Sequence, residues 1–501
     1  MKGKVYLIGA GPGDSSLITV KGLKCIKNAD VIVYDRLAND SLLEEARENC
    51  KFIYVGKEAK NHAKTQDEIN EIIYREALDG NIVARLKGGD PYVFGRGGEE
   101  GEYLIKRDIP FETVPGVTSP IGGLAYAGIP ITHRDYASSF HVITGHLKDE
   151  NEELNWSSLA KLKGTLVFLM GVSNLKKICE NLIENGKPED TPVAIINWAT
   201  TPYQRVVEGN LSNIYEKALE EKITPPSLIA VGEVVKLRKN LNFFDKKPLF
   251  GKIVVITRAK SQKKESVSQL KELGAITYEF PTIKIDEISP NLELDEAIEN
   301  IDRYTYIVLT SKNGVDIFFN KMFSLGYDSR RLGGIKIGAI GPKTGKAIEK
   351  YGIKPDIIPN EYVAEALVEE LKNVLNDKDR VLIPRAKSAR PYLVEELSKL
   401  CKVDEVKIYD TLKEQCNPNE LMEFLNDKEE IYFTFTSPST FNNFVEILGD
   451  RSKDILSKGR IISIGPITSK TIKQNGYKVY SEAEKYTVDG IMDILLKEGE
   501  A

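Results

Sequence analysis

Sixteen consecutive residues, RLKGGDPYVFGRGGEE from Arg85 to Glu100, set five glycines beside one aspartate and two arginines, directly after an apolar strand-like run. Glycine lets main chain approach a bulky ligand, and Asp90 adds an acceptor or a negative field. KGGDP at the C-terminal end of a strand therefore suits a cationic or polyhydroxyl cofactor. A second glycine turn, GAGPG from Gly9 to Gly13, follows the strand-like KVYLI and invites a dinucleotide reading, with Asp30 or Asp35 about twenty residues on. That reading fails in detail, because Asp14 holds the place of the third fingerprint glycine and Pro12 stiffens the turn. Neither cluster continues into GxxxxGK[ST], which excludes a P-loop phosphate cradle. FGRGGEE also fits a plain helix start whose first turn carries Glu99, Glu100 and Glu102 to complement the dipole; only Arg96, held between glycines, resists that account.

Hydroxyls mark the second half. TS and GPxT turns place Ser311, Thr344, Ser437 and Thr468 at expected helix starts, where free N–H groups and the macrodipole favour an anion. Each alone is explained as an N-cap. Both copies keep both turns, with RAK beside them, which points to a cleft between two similar lobes for an anionic ligand.

The elements that must hold these residues alternate along the chain. Strand-like KVYLIGA, DVIVYD, KFIYVG, NIVARLKG, TLVFLMG, TPVAIINWA and SLIAVGEVV are separated by helical stretches, the pattern of α/β domains with largely parallel sheets. NLNFFDKKPLFGK lacks a sustained period, so a boundary is expected at 241–250. Beyond it the chain repeats itself: VVITRAK returns as VLIPRAK, VLTSKNGVDIFF as TFTSPSTFNNF, and AIGPKTGKAIEKYG as SIGPITSKTIKQNG. Arg258 and Arg385 are 127 positions apart, Ser311 and Ser437 126, and Gly341 and Gly465 124, as a duplicated α/β unit requires.

The 501 residues exceed one core, and 41% hydrophobic with 29% charged residues is a globular composition. A net charge of −5 argues against broad attraction to nucleic acid or an anionic membrane, so an anionic ligand must meet clustered Lys and Arg. No run reaches the roughly eighteen apolar residues of a membrane span, and a cytoplasmic protein is expected. The five cysteines form no CxxC, and the four histidines, His141 and His146 included, read as packing or surface residues, so no metal is assigned.

The motifs VYLIGAGPGD, YDRL, VGK, RLKGGDPYVFGRGGEE, VPGVTSP, GIPITHR, TLVFLMG and ATTPYQR, in this order over residues 2 to 238, resemble the uroporphyrinogen-III C-methyltransferases of the tetrapyrrole methyltransferase family. The resemblance implies transfer of two methyl groups from S-adenosylmethionine to uroporphyrinogen III, giving precorrin-2 and S-adenosylhomocysteine, with the cofactor between two α/β lobes. It implies that Pro12, Gly88, Gly89, Asp90, Val93, Thr118, Ser119, Met170 and Ala199 line the cofactor site, and that Asp35 and Lys57 act as proton acceptor and donor. The alternative for Asp35 is a local surface pair with Arg36. The chain departs from the family pattern in TSP, where alanine often follows TS, and at Ala199, where others have glycine. Arg36, Lys57, Arg96, Arg134 and Arg205 lie in the matching loops as cations for substrate carboxylates. Asp90→Ala is expected to weaken cofactor binding and leave the fold intact.

ITRA, TSKNGV, AIGPKT, IPRAKSAR, VKIYDT and SIGPIT resemble uroporphyrinogen-III synthases across about residues 250 to 498. That resemblance implies cofactor-free cyclisation of hydroxymethylbilane with loss of water and inversion of the last ring. Tyr409 would assist hydroxyl departure, Ser311, Thr344, Ser437 and Thr468 would hold carboxylates, and Arg258, Arg385 and Arg390 would supply charge. Expected domains are 1–240, with lobes 1–115 and 116–240, and 251–501, with lobes 251–285 plus 411–498 and 286–410. The fold expectation is a two-lobed methyltransferase followed by a duplicated two-lobed α/β synthase. A homodimer through the first half follows from the resemblance, as does an end point at precorrin-2, since no nicotinamide-binding motif occurs. The competing readings are a methyltransferase acting on a later precorrin or on diphthamide, and a second half that binds tetrapyrrole without catalysis.

Overall fold

Four five-stranded sheets account for the alternation seen in the sequence. The computed structural model describes residues 2–56, 64–145, 154–258, 264–414 and 416–500. The chain forms two units, Met1–Gly251 with Leu270–Ile276 and Glu498–Ala501, and Lys252–Gln269 with Thr277–Lys497.

The first unit holds two sheets. Strands β1 (Lys4–Gly9), β2 (Val31–Tyr34), β3 (Lys51–Tyr54), β4 (Ile82–Lys87) and β5 (Phe111–Val114) lie in the order β3-β2-β4-β1-β5, all pairings parallel. Parallel strands need crossovers, supplied here by helices such as Gln66–Leu78, which Thr65 and Glu68 start with a reciprocal capping box. Strand β4 is buried on both faces. Ala84 and Leu86 join Ile8, Ile32 and Val114 on one side, while Val83 joins Val5, Leu7, Val33 and Leu104 on the other. Arg85 and Lys87 alternate with Val83 and so share its covered face, at 3% and 4% exposure.

The second sheet of this unit contains β6 (Phe140–Thr144), β7 (Thr165–Leu169), β8 (Pro192–Asn197), β9 (Arg205–Asn210) and β10 (Ser227–Val231), in the order β6-β7-β10-β8-β9. Only β6 and β7 run parallel; the other three pairings are antiparallel, which corrects the expectation of largely parallel sheets for this lobe. The reason lies in the connections: the short stretch 198–204 between β8 and β9 leaves no room for a crossover helix, so the chain must turn back on itself.

The second unit also holds two sheets. Strands β11 (Ile253–Ile256) and β12 (Ile276–Glu279) open it, β13 (Ile283–Glu287), β14 (Tyr306–Leu309), β15 (Lys336–Ala339), β16 (Arg380–Ala386) and β17 (Lys402–Lys413) follow, and β18 (Ile431–Phe435), β19 (Gly459–Ser463) and β20 (Ser481–Glu482) close it. The orders are β12-β11-β18-β19-β20 and β13-β17-β16-β14-β15. One sheet is thus made from both ends of the unit and the other from its middle. The antiparallel pair β13 and β17, with Ile283 opposite Lys413 and Glu287 opposite Tyr409, carries the chain from one to the other.

Candidate active sites

In the first unit three loops meet at the C-terminal edge of the parallel sheet, where ligands of open α/β sheets bind. The turns after β1 and β4 are joined by their own main chain: Ala10 N donates to Lys87 O (2.7 Å), Gly11 N to Gly89 O (3.2 Å) and Gly89 N to Gly11 O (2.7 Å). Gly11 and Gly89 have φ of +81° and +68°, left-handed conformations that glycine adopts without strain. The loop after β5 crosses them so closely that a Cβ on Gly9 would lie 2.5 Å from Gly116 Cα, and one on Gly116 would overlap the Gly89 carbonyl. Asp90 fixes the crossing, its Oδ2 accepting from Gly116 N (3.0 Å) and its Oδ1 from Tyr92 N (2.8 Å).

Both Asp90 oxygens therefore serve the protein's own backbone, which modifies what the sequence suggests for Asp90→Ala. Two N–H groups lose their acceptor, so the variant is expected to lose about 1 kcal/mol of stability in this unit. A urea midpoint identical to that of the unsubstituted protein would contradict the role in the loop crossing.

Several sequence-predicted positions converge here. A Cβ on Gly89 would reach ordinary contact, 3.9 Å, with Thr118 Cα and Ser119 N. Thr118 caps the helix Ser119–Tyr126, yet its hydroxyl makes no cap bond. Val93 N donates to Asp90 O (3.3 Å), and Gly88 lies against Leu37, in the loop that carries Asp35 and Arg36. Pro12 packs on Gly122 of the helix Ser119–Tyr126, and Ala199 packs on Gly123 one residue on. Asp14 N donates to Thr200 Oγ1 (3.0 Å), Tyr126 OH to Asp14 Oδ2 (2.8 Å), and Asn39 Nδ2 to Gly13 O (2.6 Å), so the turn carrying Pro12 is held from three directions. Burial first, and then the Asp14 hydrogen bond, push the Tyr126 phenol up. Met170 is half exposed with φ of +54°, beside Leu169, which pairs with Leu228, the residue that meets Gly123.

Asp35 follows β2 and is not paired with Arg36. Its Oδ2 accepts from Arg85 Nη2 (3.2 Å) and its Oδ1 from Leu37 N (3.2 Å). Arg85 Nε donates in turn to Glu100 Oε1 (3.2 Å), which also accepts from Lys87 Nζ (2.7 Å) and Gln66 Nε2 (3.2 Å). Burial lowers the Lys87 ammonium below its usual range, Arg85 adds to that effect, and Glu100 opposes it. Glu100, 1% exposed, is therefore a buried counter-ion and not a solvated residue complementing a helix dipole. The sequence reading missed Arg85, Lys87 and Glu100 as a group. The signal was present, since two cations at alternate positions of a strand buried on both faces require a buried anion.

The remaining cations are less gathered. Lys57 and His146 lie outside the described residues. Arg36 and Arg134 are exposed. Arg96, at φ +58°, is held by Glu99 (2.6 and 2.9 Å), and Arg205 by Glu221 (2.6 Å) and its carbonyl (2.9 Å). Such exposed pairs are worth about 0–1 kcal/mol and exchange readily for a ligand carboxylate.

In the second unit Ser311 caps the helix Lys312–Ser324, accepting from Gly314 N (3.0 Å), and its Oγ lies 2.9 Å from Tyr409 OH. Tyr409 is 6% exposed and stands at a register shift between β16 and β17. Burial pushes its phenol up, while the Ser311 hydrogen bond pulls the other way. Ser437 caps the helix Pro438–Leu448 in a box with Thr440. Burial pulls the Arg258 guanidinium below its usual range.

Three expectations are corrected here. Gly341 and Gly465 are the caps of the helices Pro342–Glu349 and Pro466–Gln474. Thr344 and Thr468 are third residues within them, 5% and 2% exposed, so little of either hydroxyl is offered to a ligand. Arg385, 4% exposed, donates to Glu405 (2.7 Å) and to Arg390 O (2.8 Å); its charge is spent joining β16 to β17. Arg390 itself pairs with Glu365 (3.0 Å) at the surface.

Residues 4–215 match the family model described as Tetrapyrrole (Corrin/Porphyrin) Methylases, and residues 264–493 that of Uroporphyrinogen-III synthase HemD. The chain is 41% identical to the porphyrin biosynthesis protein HemD of Ruminiclostridium josui, over 99% of this chain and 98% of that one. It is 54% identical to a uroporphyrinogen-III C-methyltransferase of Priestia megaterium, over 46% of this chain and 98% of that one. A solved uroporphyrin-III C-methyltransferase of Thermus thermophilus with S-adenosyl homocysteine is 38% identical, covering 47% of this chain and 94% of that one at a TM-score of 0.41.

Proposed function

Since the chain belongs to the family of fused tetrapyrrole methylases and uroporphyrinogen-III synthases, we propose that it closes hydroxymethylbilane to uroporphyrinogen III with loss of water and then methylates that product twice to precorrin-2. The observation that carries the methyltransferase half is the meeting of the three bare loops beside Asp35 at one sheet edge. Open main chain at Gly89, the Thr118 hydroxyl that makes no cap bond and the half-exposed Met170 fit an adenosyl cofactor. S-adenosylmethionine supplies a methyl group on a sulfonium, and an electron-rich porphyrinogen carbon is the nucleophile. What remains for the protein is alignment of the two and removal of one proton afterwards.

Asp35 is the proton acceptor in this reading. Its carboxylate accepts from Leu37 N within the loop that meets Gly88, and Arg85 orients it from the sheet side. Arg36, Arg96, Arg134 and Arg205 meet substrate carboxylates. In the second unit Tyr409 and Ser311 form one hydrogen-bonded pair that assists departure of the hydroxyl. Ser437 and Arg258 hold the acidic side chains of the linear tetrapyrrole.

Incubating the full chain with hydroxymethylbilane and methyl-labelled S-adenosylmethionine tests both halves at once. The expected product carries two labels on the type III isomer. Unlabelled type III product would remove the methyltransferase reading, and type I product alone would remove the synthase reading.

A further inference from the structure

The duplication in the second unit repeats one more feature than its motifs suggest. Tyr486 stands 124 positions after Tyr362, the spacing that also separates Gly465 from Gly341. Each tyrosine lies against its own glycine: a Cβ on Gly341 would come within 3.2 Å of Tyr362 Cβ, and one on Gly465 within 2.8 Å of Tyr486 Cδ1. Neither glycine is needed for backbone conformation, since φ of −174° and 170° are extended values open to any residue. What both positions require is the missing side chain, which lets a ring sit on the main chain.

Both rings are nevertheless open to solvent on their other side. Tyr362 is 60% and Tyr486 66% exposed, and neither phenol has a hydrogen-bond partner among the described residues. An aromatic ring fixed on one face and bare on the other is a surface prepared for a flat partner. The segments that carry them approach each other: Lys343, two residues after Gly341, reaches Asp489, three residues after Tyr486, at 3.8 Å. A loop of the lobe built from the middle of the unit thus supplies one ring, and a loop of the lobe built from its ends supplies the other.

We propose that Tyr362 and Tyr486 are the two walls of the synthase cleft against which pyrrole rings of the linear tetrapyrrole rest, one wall from each lobe. This rests on the synthase reading above and extends it to which residues shape the substrate. A flexible chain of four rings must be wound until its ends approach, and two fixed aromatic planes remove most of the alternative windings before any bond forms. Neither tyrosine has to donate or accept a proton, so phenylalanine serves as well.

The test uses the full chain with Tyr362→Ala, Tyr486→Ala, both together, and the corresponding phenylalanine variants. Each alanine variant is expected to raise KM for hydroxymethylbilane about tenfold, the scale of one lost aromatic stacking partner. The double variant is expected to release substrate that closes without inversion, seen as a rising share of type I isomer. Both phenylalanine variants should behave as the unsubstituted protein, and circular-dichroism melts should be unchanged throughout. An unchanged KM and isomer ratio in the double alanine variant, with the parent forming type III product, overturns this proposal and leaves the synthase reading intact. A parent that forms no type III product overturns both.

Discussion

Glu100→Ala is expected to lower the stability of the first unit by about 3–5 kcal/mol, the cost of leaving a buried charge without its partner. The carboxylate is 1% exposed and one of its oxygens accepts from Arg85, Lys87 and Gln66. Its removal leaves the two cations of β4 beside each other on a covered sheet face, with Asp35 as the only anion bonded to either among the described residues. Glu100→Gln keeps the shape and the acceptor but not the charge, and should fall between. Combining Glu100→Leu with Lys87→Met should recover part of the loss, because an ion pair replaced whole by apolar groups is often neutral. Urea unfolding followed separately for each unit, at constant m, measures this. A loss for Glu100→Ala within about 1 kcal/mol would mean that solvent reaches the cluster.

Asp35→Asn is the second large effect, and it concerns rate. Asparagine retains one acceptor oxygen, for Arg85 or for Leu37 N, so one of the two bonds at the loop against Gly88 is lost together with the charge. It cannot take a proton, and loss of a positioned general base typically costs 10²–10⁴-fold, so kcat for methylation is expected to fall by roughly that factor. Cofactor affinity in calorimetry should stay within about twofold, since none of the contacts at Gly89, Thr118 and Ala199 involves Asp35. A methylation rate within about threefold of the parent would assign proton removal elsewhere.

Much of this arrangement was legible as pattern. The alternation of apolar runs announced α/β sheets, and the bare GAGPG and GGD turns announced main chain that something must approach. The constant spacing of RAK, TS and IGP announced a duplication. What escaped was partnership. Glu99 and Glu100 are identical letters on one helix turn, yet one pairs at the surface with Arg96 and the other is sealed against β4. Nothing local distinguishes them; the difference is which side of Gly97–Ile105 faces the sheet. Arg385 reads as a ligand cation because it repeats Arg258, but β17 brings Glu405 alongside, a neighbour 20 positions away in sequence. The antiparallel strands of the second sheet escaped for a similar reason, because period alone does not carry strand direction. Asp35 bonds Arg85, 50 positions away, and not the adjacent Arg36, since successive residues at a strand end point to opposite faces.

The sheet assembled from both ends of the second unit also fixes an order of events during synthesis. Ile253 pairs with Ile431, so β11 leaves the ribosome almost 180 residues before the strand it bonds to exists. At common elongation rates that is a wait of roughly ten to forty seconds. In the interval the nascent chain completes β13 through β17, whose partners are all to hand, while four apolar residues of β11 stay without a neighbour on that side. The cell must therefore keep a sticky, half-made edge from mispairing until β18 emerges, and a chaperone's attention is most valuable in that interval.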